Sequence, residues 1–356
     1  MRSTTRLQTM FRRLRADFPV LHMSVCAVVL AAAACAAAAP RRTEAPLPVR
    51  IVADVPLDGQ SRRFEAQSFD ATTGMLFIAD FAGGRVVVFD TKTNRVAKIV
   101  RDLPTARGIL AVPELHRVFV SEPGAIEVAA IDATTYEVVA RFTAGRYPSA
   151  MAWDPVRRKL YVSDVIGQGV TAIDTRNNTR TAMIPLGGEP GNVQFDRGEN
   201  LIYVNVKTTN ELVAIDPALD AVVARYPLAG CAGNVGLLID DRNALAYVAC
   251  RENARLVAFD LRSHRQRESK PTGAEPDALA WDAATSLLYV ACERGTVSIF
   301  STSGRRLRKV AQGALADDAH SVAVDSATHR AYFVLHDAAG RPVIRVTRRG
   351  AAPGAN

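Results

Sequence analysis

The sequence predicts an all-β protein, a seven-bladed β-propeller whose last blade is closed by an N-terminal strand. Three observations lead there. A short β-type segment led by an aromatic residue recurs at Phe77, Phe119, Tyr161, Tyr203, Tyr247, Tyr289 and Tyr332, in steps of 42, 42, 42, 44, 42 and 43 residues. A fixed period of that size marks a repeat architecture. Each period holds four short alternating or apolar segments separated by turn residues, without helical periodicity, and four antiparallel strands make one propeller blade. The seventh period supplies only three strands before residue 347, and residues 49–55 lie ahead of the first blade. Pairing those two ends completes the last blade and removes the unpaired edges of an open ring.

Composition is compatible with this reading. The 356 residues are 48% hydrophobic, 22% charged and 6% aromatic, which excludes disordered, collagen-like and small disulfide-stapled chains. Length alone, at roughly 150 residues per domain, would suit two domains; the repeat makes one. The formal charge of +8 invites a polyanion partner, but Arg2, Arg6, Arg12, Arg13 and Arg15 against Asp17 place +4 ahead of residue 40 and leave +4 for the rest. The remaining basic clusters (Arg41-Arg42, His264–Arg267, Arg305-Arg306, Arg348-Arg349) fall on different turns, so no nucleic-acid partner is expected.

In chain order, residues 1–39 read as an export signal or membrane anchor. An arginine-bearing start precedes an apolar run from Val20 to Ala39 that ends in small residues. Cleavage near Ala36–Ala39 is one fate, and retention as an anchor or lipid attachment at Cys35 is the other, with Ala32 standing where a lipobox usually has a branched residue. The chain is therefore expected in the periplasm or secreted, touching a membrane only through this segment. Residues 40–48 are a linker, 49–347 the propeller and 348–356 a polar tail. In the third unit the strands are expected at 149–153, 160–163, 169–174 and 180–185. Aspartates end the first strands (Asp70, Asp154, Asp196, Asp240, Asp282, Asp325) and the third strands (Asp90, Asp132, Asp174, Asp216, Asp260), with Pro113 and Ser301 in the two slots without one. A short carboxylate there accepts backbone N–H bonds from the turn, a structural role.

Cys26 and Cys35 belong to the leader, and Cys231, Cys250 and Cys292 to the body. Export permits a disulfide, and three body cysteines cannot all pair with one another. The spelling Tyr161-Val162-Ser163-Asp164 or Tyr247-Val248-Ala249-Cys250, followed by an apolar strand to Asp and a Thr/Asn-containing turn, resembles the YVTN-type β-propeller family of exported bacterial proteins and archaeal surface layers. The likeness covers about residues 49–347. It implies the propeller fold and a binding platform. One subgroup carries a Cys in the loop opening a blade and another ending its second strand. That resemblance implies a Cys231–Cys250 disulfide with Cys292 outside it, against the alternative of three buried thiols.

Propellers carry function where the inner strands converge on one mouth of the channel. An inner ring is expected from Glu65, Arg107, Ser149, Asn192, Asn234, Asp277 and His320. A second ring is expected from Asp80, Glu122, Asp164, Val206, Arg251, Glu293 and His336. The inner positions are chemically distinct, whereas a purely structural repeat would reuse one turn residue. Glu65, Asp277, Asn192 and Asn234 offer oxygen ligands to a divalent cation such as Ca²⁺; His320 offers proton transfer and Arg107 an anion clamp. The competing reading is that these side chains cap turns and line a wet channel. No Gly-x-Ser-x-Gly, His-Glu-x-x-His, Walker A or Cys-x-x-Cys-His motif occurs. The expectation is a monomeric binding module for a protein, peptide or small ligand, leaning away from catalysis. The alternative is a metal-dependent hydrolase similar to the gluconolactonase propellers, which have six blades. Haem d1 propellers offer a third resemblance, with His320 or His336 as ligand.

Overall fold

The computed structural model describes residues 46–59 and 61–349. Residues 1–45, which include the expected export signal or anchor with Cys26 and Cys35, residue 60 and residues 350–356 lie outside the described residues. Seven four-stranded antiparallel sheets form the blades of a β-propeller. Blades one to six each use four consecutive strands, and in the third these are Pro148–Asp154, Lys159–Asp164, Gly169–Asp174 and Thr179–Pro185. The seventh combines Val322–Asp325, Arg330–Leu335 and Val343–Arg349 with Val49–Pro56, which pairs antiparallel to the last of these. The strand ahead of the first blade therefore closes the ring.

Strands alternate which face they present, so each blade buries one face against each neighbour. Every adjacent pair shares an apolar cluster, including blades seven and one, where Tyr332, Val334 and Ile344 pack with Leu76, Ile78 and Phe89. The recurring aromatics are buried in these seams. Burial leaves a tyrosine hydroxyl needing a partner; Tyr161 donates to Asp220 at 2.7 Å and Tyr203 to Glu199 at 2.7 Å. Among the described residues no helix is long and apolar enough to cross a membrane.

The strand-ending aspartates do what short carboxylates do at turns. Asp70, Asp90, Asp132, Asp154, Asp174, Asp216, Asp260, Asp282 and Asp325 each accept the N–H two residues on, at 2.7–3.1 Å. The two slots lacking the aspartate take another turn. After Val112 and after Ser301 the chain makes three-residue 3-10 turns, Pro113–Leu115 and Ser303–Arg305. A blade-five bridge joins Cys231, in the loop before the first strand, to Cys250, at the end of the second, with Cα atoms 5.3 Å apart. Cys292, at the matching place in blade six, is buried with its Sγ 3.8 Å from the Val290 carbonyl oxygen.

Candidate functional site

Each first strand opens at the same end of its blade as the turn joining strands two and three. Phe64 pairs with Asp80, Pro148 with Asp164, Pro190 with Val206, Asn234 with Cys250 and Pro276 with Cys292. The next residue of each first strand is thus equivalent: Glu65, Ser149, Gly191, Val235 and Asp277. Arg107 and His320 hold that place in blades two and seven, counted back from Val112 and Asp325.

This register corrects the expected ring at Asn234 and sets Asn192 one residue off the equivalent place. Asn234 stands one residue early and is fully buried. Its amide donates to Asn205 Oδ1 at 3.1 Å and to the Glu211 carbonyl at 2.8 Å, tying blade five to blade four. Asn192 stands one residue late, inside the irregular stretch between Pro190 and Val193. Gly191 and Asn192 share this bulge, so strand alternation does not separate their side chains. Val235 takes the place expected for Asn234, and a Cβ on Gly191 would come within 2.8 Å of the Val235 carbonyl oxygen of the next blade. The oxygen-ligand set of Glu65, Asn192, Asn234 and Asp277 expected for Ca²⁺ is therefore not assembled.

The second ring also divides by register. Asp80, Glu122, Asp164 and Val206 end their second strands and are fully buried. Asp80 accepts Gly83 N at 2.8 Å and Arg85 Nε at 2.7 Å, along with the Ser61 hydroxyl. Asp164 accepts the N–H groups of Arg146, Tyr147 and Gly167 at 2.8–3.0 Å. Both brace the mouth loops from within. Glu122 accepts from Arg141 Nη1 at 2.6 Å, and its other oxygen is buried without a hydrogen bond. Burial pushes its carboxyl up to about 7 despite Arg141. Arg251, Glu293 and His336 lie one residue later, at the start of their turns, and these reach the mouth.

There they meet the inner ring in a charged crescent. Arg107 donates through Nε to Ser149 Oγ at 3.1 Å, places Nη1 3.4 Å from Glu65 and lies over the Tyr147 ring at 5.7 Å. Arg63 Nε donates to Glu65 Oε1 at 2.6 Å, and its Nη2 stands 3.5 Å from Glu293 Oε1. Arg251 Nη2 is 3.0 Å from the same oxygen. His320 Nδ1 is 2.9 Å from Asp318 Oδ1, and His336 Nδ1 lies 3.7 Å from Asp318 Oδ2. One ligating atom each from Asp277, Glu293 and His320 lie within 4.8 Å of one another. Burial pulls the His320 imidazolium down, but Asp318, Asp277 and Glu293 outweigh it and raise the group to about 9. Burial raises Asp277 above the ordinary aspartate range, with His320 opposing.

Arg63 and Asp318 were not among the expected site residues. Each lies two positions before a ring residue, Glu65 and His320. Both lie in the loops ahead of the first strands, Phe64–Asp70 and Val322–Asp325, where strand alternation gives no signal for them.

No family model matches the chain. The uncharacterized protein YncE of Salmonella typhi is 35% identical over 107 residues, and the match spans 30% of this chain and 30% of that protein. The YncE of Salmonella typhimurium matches to the same extent. Among solved structures, a streptogramin B lyase superposes with a TM-score of 0.70 at 11% identity, over 83% of this chain and 96% of that one. Hydrazine synthase of Kuenenia stuttgartiensis gives 0.69 at 14% identity, over 83% and 97%. At these identities the likeness is one of fold.

Proposed function

We propose that the protein is an exported binding module of the YVTN type whose channel mouth holds a carboxylate-bearing small molecule or peptide. The observation that carries this is the asymmetry of the mouth. Arg63, Arg107 and Arg251 converge on Glu65 and Glu293 from blades one, two and five, while the equivalent first-strand positions of blades four and five, Gly191 and Val235, carry no charge. Each guanidinium spends part of its donor fork on a protein carboxylate, and its side chain remains 30–38% exposed. A planar fork with free donors suits a second carboxylate, and the uncharged positions suit a less polar ligand body. The Cys231–Cys250 bridge and the arginine-bearing apolar leader support export.

The test is thermal unfolding against mono- and dicarboxylates and against peptides with free or amidated C-termini. Free-carboxylate members are expected to raise the midpoint, amidated counterparts not, and Arg107→Ala should abolish the rise. A panel in which free and amidated peptides behave alike refutes the ligand class. The mass of the mature protein from exporting cells tests the leader: loss of residues up to about Ala39 supports cleavage, and an intact N-terminus contradicts it.

A further inference from the structure

We propose that Asp277, Glu293 and His320 form a binding site for one divalent transition-metal ion of the Zn²⁺ or Mn²⁺ class. The donors come from the opening of blade six, the turn after its second strand, and the opening of blade seven. Their ligating atoms lie within 4.8 Å of one another. Ligands around such an ion, at bonds of about 2.0–2.2 Å, sit roughly 3–3.5 Å apart. Coordination therefore asks the three donors to draw together by about 1–2 Å.

A second observation points independently to a cation. His320 is only 2% exposed, yet its Nε2 is buried without a hydrogen-bond partner. A buried ring nitrogen with nothing to bond calls for an explanation. Its other nitrogen is already engaged by Asp318 at 2.9 Å, and a carboxylate holding the far side of an imidazole is the usual support of a metal-binding histidine. A set of two carboxylates and an imidazole favours Zn²⁺ or Mn²⁺ over Ca²⁺, which takes a larger shell of oxygens alone. Three protein donors also leave coordination positions for water or an added ligand.

The site stands apart from the ligand reading above, because metal and carboxylate are titrated separately. The full chain, stripped with EDTA and dialysed, is titrated calorimetrically with ZnCl₂, MnCl₂ or CaCl₂ alone. One equivalent of Zn²⁺ is expected to bind, more tightly than Ca²⁺. Asp277→Asn and Glu293→Gln should each weaken it at least about tenfold, while Glu189→Gln, on the same face in blade four, should not. Since His320 is buried and its replacement risks the fold, its role is read in the unaltered chain. Spin-echo spectra of the Mn²⁺-loaded protein should show modulation from a directly bound imidazole nitrogen. Absence of saturable binding, binding that both variants retain, Ca²⁺ bound as tightly as Zn²⁺, or a bound ion without nitrogen modulation would each overturn the assignment.

Discussion

The two ends of every blade use the same chemistry for opposite purposes. At the base, carboxylates such as Asp70, Asp174 and Asp282 bond within their own turns, two or three residues along the chain. At the mouth, Glu65 and Glu293 meet arginines from other blades, Arg63 linking blade one to Glu293 of blade six. A turn carboxylate is satisfied wherever the repeat places it, so it recurs. Asp80 and Asp164 still bond the mouth loops of their own blades, but Glu293 is met by arginines that the closed ring brings from blades one and five, so such positions are free to differ. Local recurrence marks the scaffold, and divergence at equivalent positions marks the site.

Titration is mixed at both ends: burial raises Asp196 at the base and Asp277 and Glu122 toward the mouth, whereas burial at the mouth residue Asp318 is outweighed by His320, which holds it low. In four of the turns burial opposes the downward shift, but turn hydrogen bonds hold Asp70, Asp90 and Asp132 below the ordinary carboxylate range, and the Arg176 guanidinium and backbone N–H do the same for Asp174. Their stabilisation is present above the unfolded value near 3.8 and is lost as pH falls below it. Glu122 is raised from 4.5 to about 7, so its stabilisation is present below 4.5 and is lost as pH rises toward 7.

Four outcomes sharpen or break this contrast, from the largest effect to the smallest. Replacing Cys231 and Cys250 together with serine should cost about 3 kcal/mol in urea unfolding, because the bridge closes a loop with a sequence separation of 19. A loss well under 1 kcal/mol would show that the mouth loop of blade five is held by packing alone. Glu122→Gln should flatten the decline in stability between pH 5 and pH 8, with a gain of up to about 3 kcal/mol at the upper end. A variant that keeps the wild-type pH profile would remove Glu122 from the account. Asp70→Ala discards four hydrogen bonds from Thr72 and Thr73 and should cost about 2 kcal/mol. Arg107→Ala, which breaks half-exposed contacts, should cost under about 1 kcal/mol while abolishing carboxylate binding.

Much of the fold is legible in residue spacing, because each unit repeats its aromatic, turn and strand pattern and the closing strand is what the strand count lacks. The two short 3-10 turns fall where Asp gives way to Pro113 and Ser301. The site is less legible. Expecting a polar side chain at every inner position draws in Asn234, but its pairing with Cys250 puts Val235 there, and in blade four Gly191 and Asn192 share one bulge. The ladder is irregular just past the opening pair in five blades, and sequence spacing does not reveal phase through a bulge. The contact of Arg63 with Glu293 depends on ring closure, so no local pattern contains it.

The division between base and mouth is tested most directly by urea unfolding of Asp70→Ala and Asp277→Ala side by side at pH 8. Asp70→Ala is expected to lose about 2 kcal/mol. Asp277→Ala should lose almost nothing or gain, since its carboxylate is raised by burial and accepts no turn hydrogen bonds of the kind Asp70 does. Equal losses, or a larger loss at Asp277, would contradict the account.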